Sequence, residues 1–307
     1  MLNLTSLELE SPHLTQLPLH PLLANINSLV ELKLGRCSFP LQQFIGFLES
    51  NLNLEVVDLD IALISSPEST VPERGFSLPR LQRLVLTCDN VTDSRALLSS
   101  LSLPHGVNIE VYESERNSCG DLVSFLPSPL TPIQDLLDPI TTIKHLVYKG
   151  GLHLFGNDAS LSFDGHTAPR KSLDVFDMFA TSTVREFHLH LYPKDLVWPL
   201  ERLPALEALV ISKSSPGLGS LFALKKEPIP CLSLKTIAFF DCGVTLDTIK
   251  ELEGVLTKRE HSTAARLHRV MIVNHTCDFP GVQLISRLQR SVQRVDVIMS
   301  DKLPDLL

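Results

Sequence analysis

No run of about 18 apolar residues occurs in this chain, so no membrane-spanning helix is expected. The start, Met1-Leu2-Asn3-Leu4, has no basic region, no continuous apolar block and no small-residue cleavage site, so no secretory leader is read there. Basic residues are the minority charge, 27 against 35 acidic, giving a net charge of −8. A phosphate backbone wants a basic face, so nucleic acid is not expected as a partner. The 14 glycines follow no period of three, which excludes a collagen-like chain. The six cysteines, at 37, 88, 119, 231, 242 and 277, form no Cys-x-x-Cys pair. A chain this long, with 44% apolar residues, can hold together without disulfides, so reduced thiols and an intracellular setting, cytoplasmic or nuclear, are expected. The Asn-x-Thr triplets at Asn3, Asn90 and Asn274 then read as chance matches. Also missing are Gly-x-Ser-x-Gly, His-Glu-x-x-His and a phosphate loop ending in Gly-Lys-Ser/Thr, and Gly217-Leu-Gly219 lacks the third glycine of a dinucleotide fingerprint. The expectation is a non-enzyme with no cofactor and no metal.

What the chain does have is leucine, 57 of 307 residues. They recur in one template: leucine, two variable residues, leucine, one variable, leucine, two variable, then asparagine or cysteine, one variable, leucine. Leu29, Leu32, Leu34, Cys37 and Phe39 match it, as do Leu234, Ile237, Phe239, Cys242 and Val244. Leu81, Leu84, Leu86, Asp89 and Val91 depart only at the polar position. Other stretches keep the apolar triplet, among them Leu4-Leu7-Leu9, Leu54-Val57-Leu59, Ile143-Leu146-Tyr148, Val184-Phe187-Leu189, Leu206-Leu209-Ile211, Leu267-Val270-Ile272 and Val292-Val295-Val297. With the looser Val107-Ile109-Val111, eleven units start at 4, 29, 54, 81, 107, 143, 184, 206, 234, 267 and 292.

The second and third apolar residues of each triplet are two apart, so they share one face of a strand. Helical spacing follows several strands. Leu246, Ile249, Leu252, Val255 and Leu256 form one stripe, and Leu41–Leu48 and Val91–Leu98 read as helices. A unit of strand and helix cannot bury its apolar face alone, but stacking buries it. The fold expected is therefore α/β: a leucine-rich-repeat solenoid, with parallel strands on a concave face and helices on the convex one. One domain over 1–307 is expected, with insertions near 61–79 and 149–171. The second insertion reads as a hairpin, Leu152–Phe155 and Leu161–Phe163 about a Gly-Asn-Asp turn. A helix is expected around Pro132–Asp138. Cys37 and Cys242 stand where the chain turns past the strand, and a buried structural role is expected for both. Serine-proline pairs at Ser11, Ser66, Ser128 and Ser215 read as loop punctuation.

The third, fifth and seventh template positions point away from the leucines. The early units place Glu8, Glu10, Glu31, Asp58 and Asp60 there, an acidic end. The middle places Tyr112, His145, His188 and His190, and the late units Val210, Ala238, Phe240, Met271 and Val273. Asp58-Leu-Asp60 could hold a metal with a nucleotide-sugar phosphate, and His188-Leu-His190 could bind zinc with Glu186 or His145. Solvent-facing recognition groups are the preferred reading of both. The apolar row is expected to be exposed and to anchor a protein partner, with Phe240 and Met271 at its centre and the acidic end steering a basic segment. The alternative is that a loop or the residues from Asp301 to Leu307 fold over the row.

The segment Ser77-Leu-Pro79-Arg-Leu81-Gln-Arg-Leu84-Val-Leu86-Thr-Cys-Asp89, continued by Leu97-Leu98-Ser-Ser-Leu101-Ser-Leu103-Pro104, resembles the leucine-rich-repeat region of F-box proteins, especially the divergent set of mushroom-forming fungi. Leu4–Leu9 and Leu203–Leu209 are similar in style. The resemblance implies the substrate-recognition part of a cullin-type ubiquitin ligase, monomeric, holding a protein substrate on the concave face. In that family an F-box of three short helices docks on the ligase adaptor. No such segment is seen here, so adaptor docking is expected only if an F-box lies upstream of Met1. The alternative is a free-standing repeat scaffold or an inhibitor-like regulator unrelated to ubiquitin.

Overall fold

The structure, a computed structural model, describes residues 4–10, 26–64, 75–88, 91–113, 125–127, 130–146, 151–164, 175–190, 200–212, 224, 228, 230–262, 264, 266–274, 282–290, 292–300, 302–304 and 306. It is α/β, with a sheet whose strands are mostly parallel. The repeat pattern alone gives one domain; the chain divides into two compact units, Met1–Asp138 with Lys149–Val175, and Pro139–Tyr148 with Phe176–Leu307.

In the first unit the elements run β1 (Ser6–Glu10), β2 (Glu31–Pro40), α1 (Leu41–Glu49), β3 (Val56–Ile64), β4 (Phe76–Ser77), β5 (Arg83–Cys88), α2 (Val91–Ser100), β6 (Leu101–Ser102), β7 (Asn108–Glu113) and α3 (Thr131–Leu137). After β8 (Thr142–Leu146), which belongs to the second unit, the chain returns as β9 (Gly151–Phe155) and β10 (Ser160–Asp164). The strand order is β1-β2-β3-β5-β7-β10-β9, and β4 and β6 form a separate small pair. Neighbours are parallel except β10 and β9.

Register explains why these strands stack. Leu7, Leu32, Val57, Leu84, Ile109 and Leu161 stand in one row across the sheet, and Leu9, Leu34, Leu59, Leu86, Val111 and Phe163 in the next. From β2 inward every member is buried. Each such side chain contributes about 1.5–3 kcal/mol on leaving water, so a slip of one residue would forfeit a whole row. Phe44 and Leu48 from α1, and Leu97 and Leu98 from α2, are buried as well. Phe44 stacks on Phe39 at 6.0 Å between ring centroids.

The second unit holds β8, α4 (Val175–Met178, begun by the last residue of the first unit), β11 (Glu186–His190), β12 (Ala208–Ser212), β13 (Thr236–Phe240), α5 (Leu246–Glu260), β14 (Arg269–Asn274), α6 (Val282–Leu288) and β15 (Arg294–Met299). Its strands, in the order β8-β11-β12-β13-β14-β15, are all parallel. Ile143, Phe187, Leu209, Ile237, Val270 and Val295 form its apolar row.

One register differs from the expected one. The triplet Ile143-Leu146-Tyr148 would place Leu146 opposite Phe187, but Ile143 takes that place and position 145 stands opposite Leu189. Ile140, fully buried, supplies the first leucine-like position. The apolar row therefore enters β8 three residues earlier than expected. Of the region near 149–171, residues 151–164 are described, and they join the sheet. Its hairpin forms as read, but β10 pairs with β7 in parallel, because Leu161 and Phe163 carry the same two-apart spacing as every other strand. Gly156 closes the turn, its N–H donating to Ala159 O at 2.9 Å. A Cβ there would lie 2.8 Å from the Leu137 carbonyl oxygen, so glycine is required. The expected insertion near 61–79 begins inside β3, and residues 65–74 lie outside those described.

One local feature recurs in both units, inside β2 where the register shifts between Gly35 and Cys37, and just past β13; Cys37 was expected past the strand but lies within it. Arg36 and Asp241, with φ of 55° and 54°, occupy the left-handed region, and each precedes a cysteine. The Cys37 thiol donates to Gly35 O at 3.2 Å, and Cys242 to Ile211 O at 3.2 Å on the neighbouring strand. Both are buried, as expected of a small side chain that satisfies a carbonyl there. Cys88, Cys119 and Cys277, the four serine-proline pairs and Gly217–Gly219 carry no described side chain.

Candidate functional site

In the first unit the strand face opposite the leucines is mostly polar and half-buried to exposed, with one buried apolar residue, Val85, in its central row. Its central row is Glu8, Lys33, Asp58, Val85, Glu110 and Ser162. Glu31, Arg83 and Asn108 flank it on one side, and Glu10, Asp60, Tyr112 and Asp164 on the other. The alternation of strand side chains puts them there: where one residue must point to the core, its neighbours point away. Arg83 grips Glu110 with two hydrogen bonds, at 2.8 and 3.1 Å, and the Tyr112 hydroxyl donates to the same carboxylate at 2.8 Å. Arg83 holds the Glu110 carboxyl below its ordinary pKa. The bond to Glu110 pushes the Tyr112 phenol up to about 12. Asp58 shifts the other way, its carboxyl raised by partial burial against the pull of Arg83 and Lys33. Lys33 pairs with Glu31 at 2.8 Å. His153 bonds Ser162 through Nδ1 at 2.8 Å and lies 3.6 Å from Asp164.

Carboxylates outnumber the cations on this face, as the sequence led us to expect from Glu8, Glu10, Asp58 and Asp60. The sequence missed the Arg83–Glu110–Tyr112 network, whose members sit on adjacent strands in the template's third, fifth and seventh positions. Aligning the units would have revealed it.

The second unit places Lys144, His188, Val210, Ala238, Met271 and Asp296 in the corresponding row. Here the expectation of an exposed apolar row is corrected. Val210, Ala238, Met271 and Val273 are at most 1% exposed, and Phe240 is half-buried. Leu306 packs into this cluster, with Leu303, Ile298 and Phe240 against it. The segment after β15 thus covers the row, so β12–β14 are buried on both faces. The strand Arg269–Asn274 reads Val-Met-Ile-Val at its centre, apolar on both sides, which was the signal for double burial.

Polar groups flank the covered row. His188 bonds Glu186 on one side and holds that carboxyl below its ordinary pKa. On the other side Asp296 accepts from Arg269 at 2.6 Å and Arg294 at 2.8 Å. Its burial acts upward, but the two arginines win and its pKa is lowered. The side chains of His145 and His190 lie outside those described, and among the described residues no three His, Cys, Asp or Glu are grouped to hold a metal.

Arg259 was also missed. It is 1% exposed and donates through Nη2 to the carbonyls of Cys231, Leu232 and Leu234 at 3.1, 3.2 and 3.2 Å. It falls on the buried stripe of α5 after Leu252 and Leu256, and that spacing was legible.

Among the described residues no helix is long and apolar enough to cross a membrane. No family model matches the chain, and no curated protein matches it.

Proposed function

We propose that this chain is a leucine-rich-repeat module for protein binding, and that it serves as the substrate-holding part of an F-box-type ubiquitin-ligase receptor. The repeat reading is supported most by one observation. A left-handed residue followed by a buried cysteine recurs at Arg36-Cys37, where β2 shifts its register, and at Asp241-Cys242, just past β13, in two strands far apart in sequence that carry the same leucine spacing. The binding reading is supported by the mostly polar face of the first unit, where charged side chains are held in fixed pairs and ready to meet a basic segment. The reading needs no catalytic step, cofactor or metal. Such a face sets orientation and encounter rate more than affinity.

The test is capture of proteins by the full chain and by an Asp58→Lys, Glu110→Lys variant, with turnover of the captured proteins followed as the chain is raised or removed in its own cells. Loss of capture by the variant, together with slower turnover on removal, is expected. Capture indifferent to the charge reversal would sink this face. Unchanged turnover would sink the ubiquitin link and leave a scaffold.

A further inference from the structure

We propose that the second unit binds a small phosphate ester carrying hydroxyl groups, in a cavity of about 280 Å³ between the end of α5 and the segments that lead into β14 and β15. Drug-sized ligands occupy about 300–1,000 Å³, so this cavity has room for a molecule the size of a headgroup.

The chain is acidic as a whole, with a net charge of −8, yet two unengaged cations meet here. Arg266 lines the cavity from the segment before β14 and Arg290 from the segment before β15, and both are exposed. In the same unit Arg185, Arg202, Arg269, Arg287 and Arg294 each face a carboxylate, and Arg259 donates to backbone carbonyls. Arg266 and Arg290 pair with no carboxylate among the described residues; Arg290 gives only its Nε, to Ser286 O at 3.4 Å. Each guanidinium is a planar fork that matches the oxygens of an oxyanion. Two forks call for more than the two oxygens of a carboxylate, and a phosphoryl group offers three.

Acceptors stand beside these donors. His268 Nδ1 and Gln293 Oε1, both on the cavity wall, lie 3.0 Å apart. That bond uses the ring's Nδ1–H, leaving Nε2 as an acceptor and the Gln293 amide as a further donor. Glu260, in the last turn of α5, adds a carboxylate. A bare anion is repelled by Glu260 and by the carbonyl end of α5. A phosphate ester with hydroxyl groups satisfies both sets, its phosphoryl oxygens on the arginines and its O–H groups on Glu260 and His268. Its carbon skeleton rests on Leu256, Leu267 and Val292, each at most 7% exposed.

The experiment titrates glycerol 3-phosphate, inorganic phosphate, glycerol and acetate into the full chain by calorimetry, at one pH and one ionic strength. R266Q/R290Q and E260A variants of the full chain are treated alike, with thermal unfolding recorded for each. Glycerol 3-phosphate is expected to bind the wild type, inorganic phosphate at least about tenfold more weakly, and glycerol and acetate not detectably. The R266Q/R290Q variant should melt as the wild type does and bind glycerol 3-phosphate at least about tenfold more weakly. E260A should narrow the gap between the ester and inorganic phosphate. No binding of glycerol 3-phosphate by the wild type overturns the proposal, and so does unchanged binding by the folded double variant. Acetate binding as tightly as the ester would reduce the site to a general cationic patch and overturn it too. Inorganic phosphate binding as tightly as the ester would remove the role of the hydroxyl groups and overturn the ester. If the double variant unfolds, R266Q alone is read by the same criteria, since Arg266 bonds to no other described residue. Only residues of the second unit form the site, so its failure leaves protein capture through Asp58 and Glu110 as it was.

Discussion

Arg259→Met is the sharpest test of how the second unit is held. The guanidinium ties the last turn of α5 to the segment before β13 through three carbonyls within 3.2 Å and a fourth, Pro230 O, at 3.5 Å. Burial pulls its pKa below the ordinary guanidinium value, so the charge is held at a cost. Replacing a buried charge by an apolar group can be neutral or stabilising when its counter-charge goes too. Here the partners are backbone carbonyls, which remain. Cys231 O keeps the Leu234 N–H at 3.0 Å, but the Leu232 and Leu234 oxygens each lose the guanidinium. The Leu234 oxygen, fully buried, costs about 1–3 kcal/mol when orphaned; the Leu232 oxygen, reached by water, costs about 1. Relief of the desolvated charge offsets about 1 kcal/mol. Methionine keeps the packing of the stem. The net expectation is a loss of about 2 kcal/mol, read from the midpoint of guanidinium chloride unfolding followed by circular dichroism, at unchanged slope. Arg259→Lys, with one point charge for a planar fork, should recover less than half of that loss. A methionine variant within 0.5 kcal/mol of wild type, or more stable than it, would refute the reasoning.

Leu84→Ala should cost about 2–5 kcal/mol in the same assay, because Leu84 stands in the middle of the first unit's apolar row; a loss below about 1 kcal/mol would mean the row is not closed. Two carboxylates should move stability in opposite directions with pH. Glu110 has a folded pKa below the unfolded one, so its contribution is complete above about pH 4.3 and is lost as pH falls through the folded value; Glu110→Gln should flatten the acid limb of the stability curve. Asp58 has a raised folded pKa, so its contribution is present below about pH 3.9 and is lost as pH rises; Asp58→Asn should stabilise the protein slightly at pH 7 and not at pH 3. Cys37, Cys231 and Cys242, all buried, should resist iodoacetamide at pH 8 and react on unfolding, as read by mass spectrometry; burial, against the pull of Arg259, pushes the Cys231 thiol up to about 12.

The inward rows were legible because water penalises any other register: a strand that buries one face must place its leucines two apart. The same rule misled at β8. Ile143, Leu146 and Tyr148 carry the right spacing by coincidence, while Ile143 stands in the apolar row after the buried Ile140 and the next place in register falls to His145, which breaks the leucine pattern. Outward positions were harder to read. An outward Val210 or Met271 looks the same in sequence whether solvent, a partner or the chain's own Leu306 lies above it. Only the continuous apolar run of β14 hinted at the cover, and Arg259 was overlooked because a charge on a buried stripe is usually at the surface.

The hairpin of β9 and β10 bears on the order of folding. Neighbouring parallel strands here pair residues about 25 apart, as Leu7 with Leu32 and Leu32 with Val57, so each pairing must close a loop of that length. The hairpin closes over a few residues and can form within about 1–10 μs. The β7 strand then waits for a partner 52 residues downstream, since Asn108 meets Ser160 across the inserted β8. Doubling the loop adds only about 0.6 kcal/mol of closure entropy. A preformed hairpin docking as one body would offset that, and slow refolding after Gly156→Ala would be its kinetic signature.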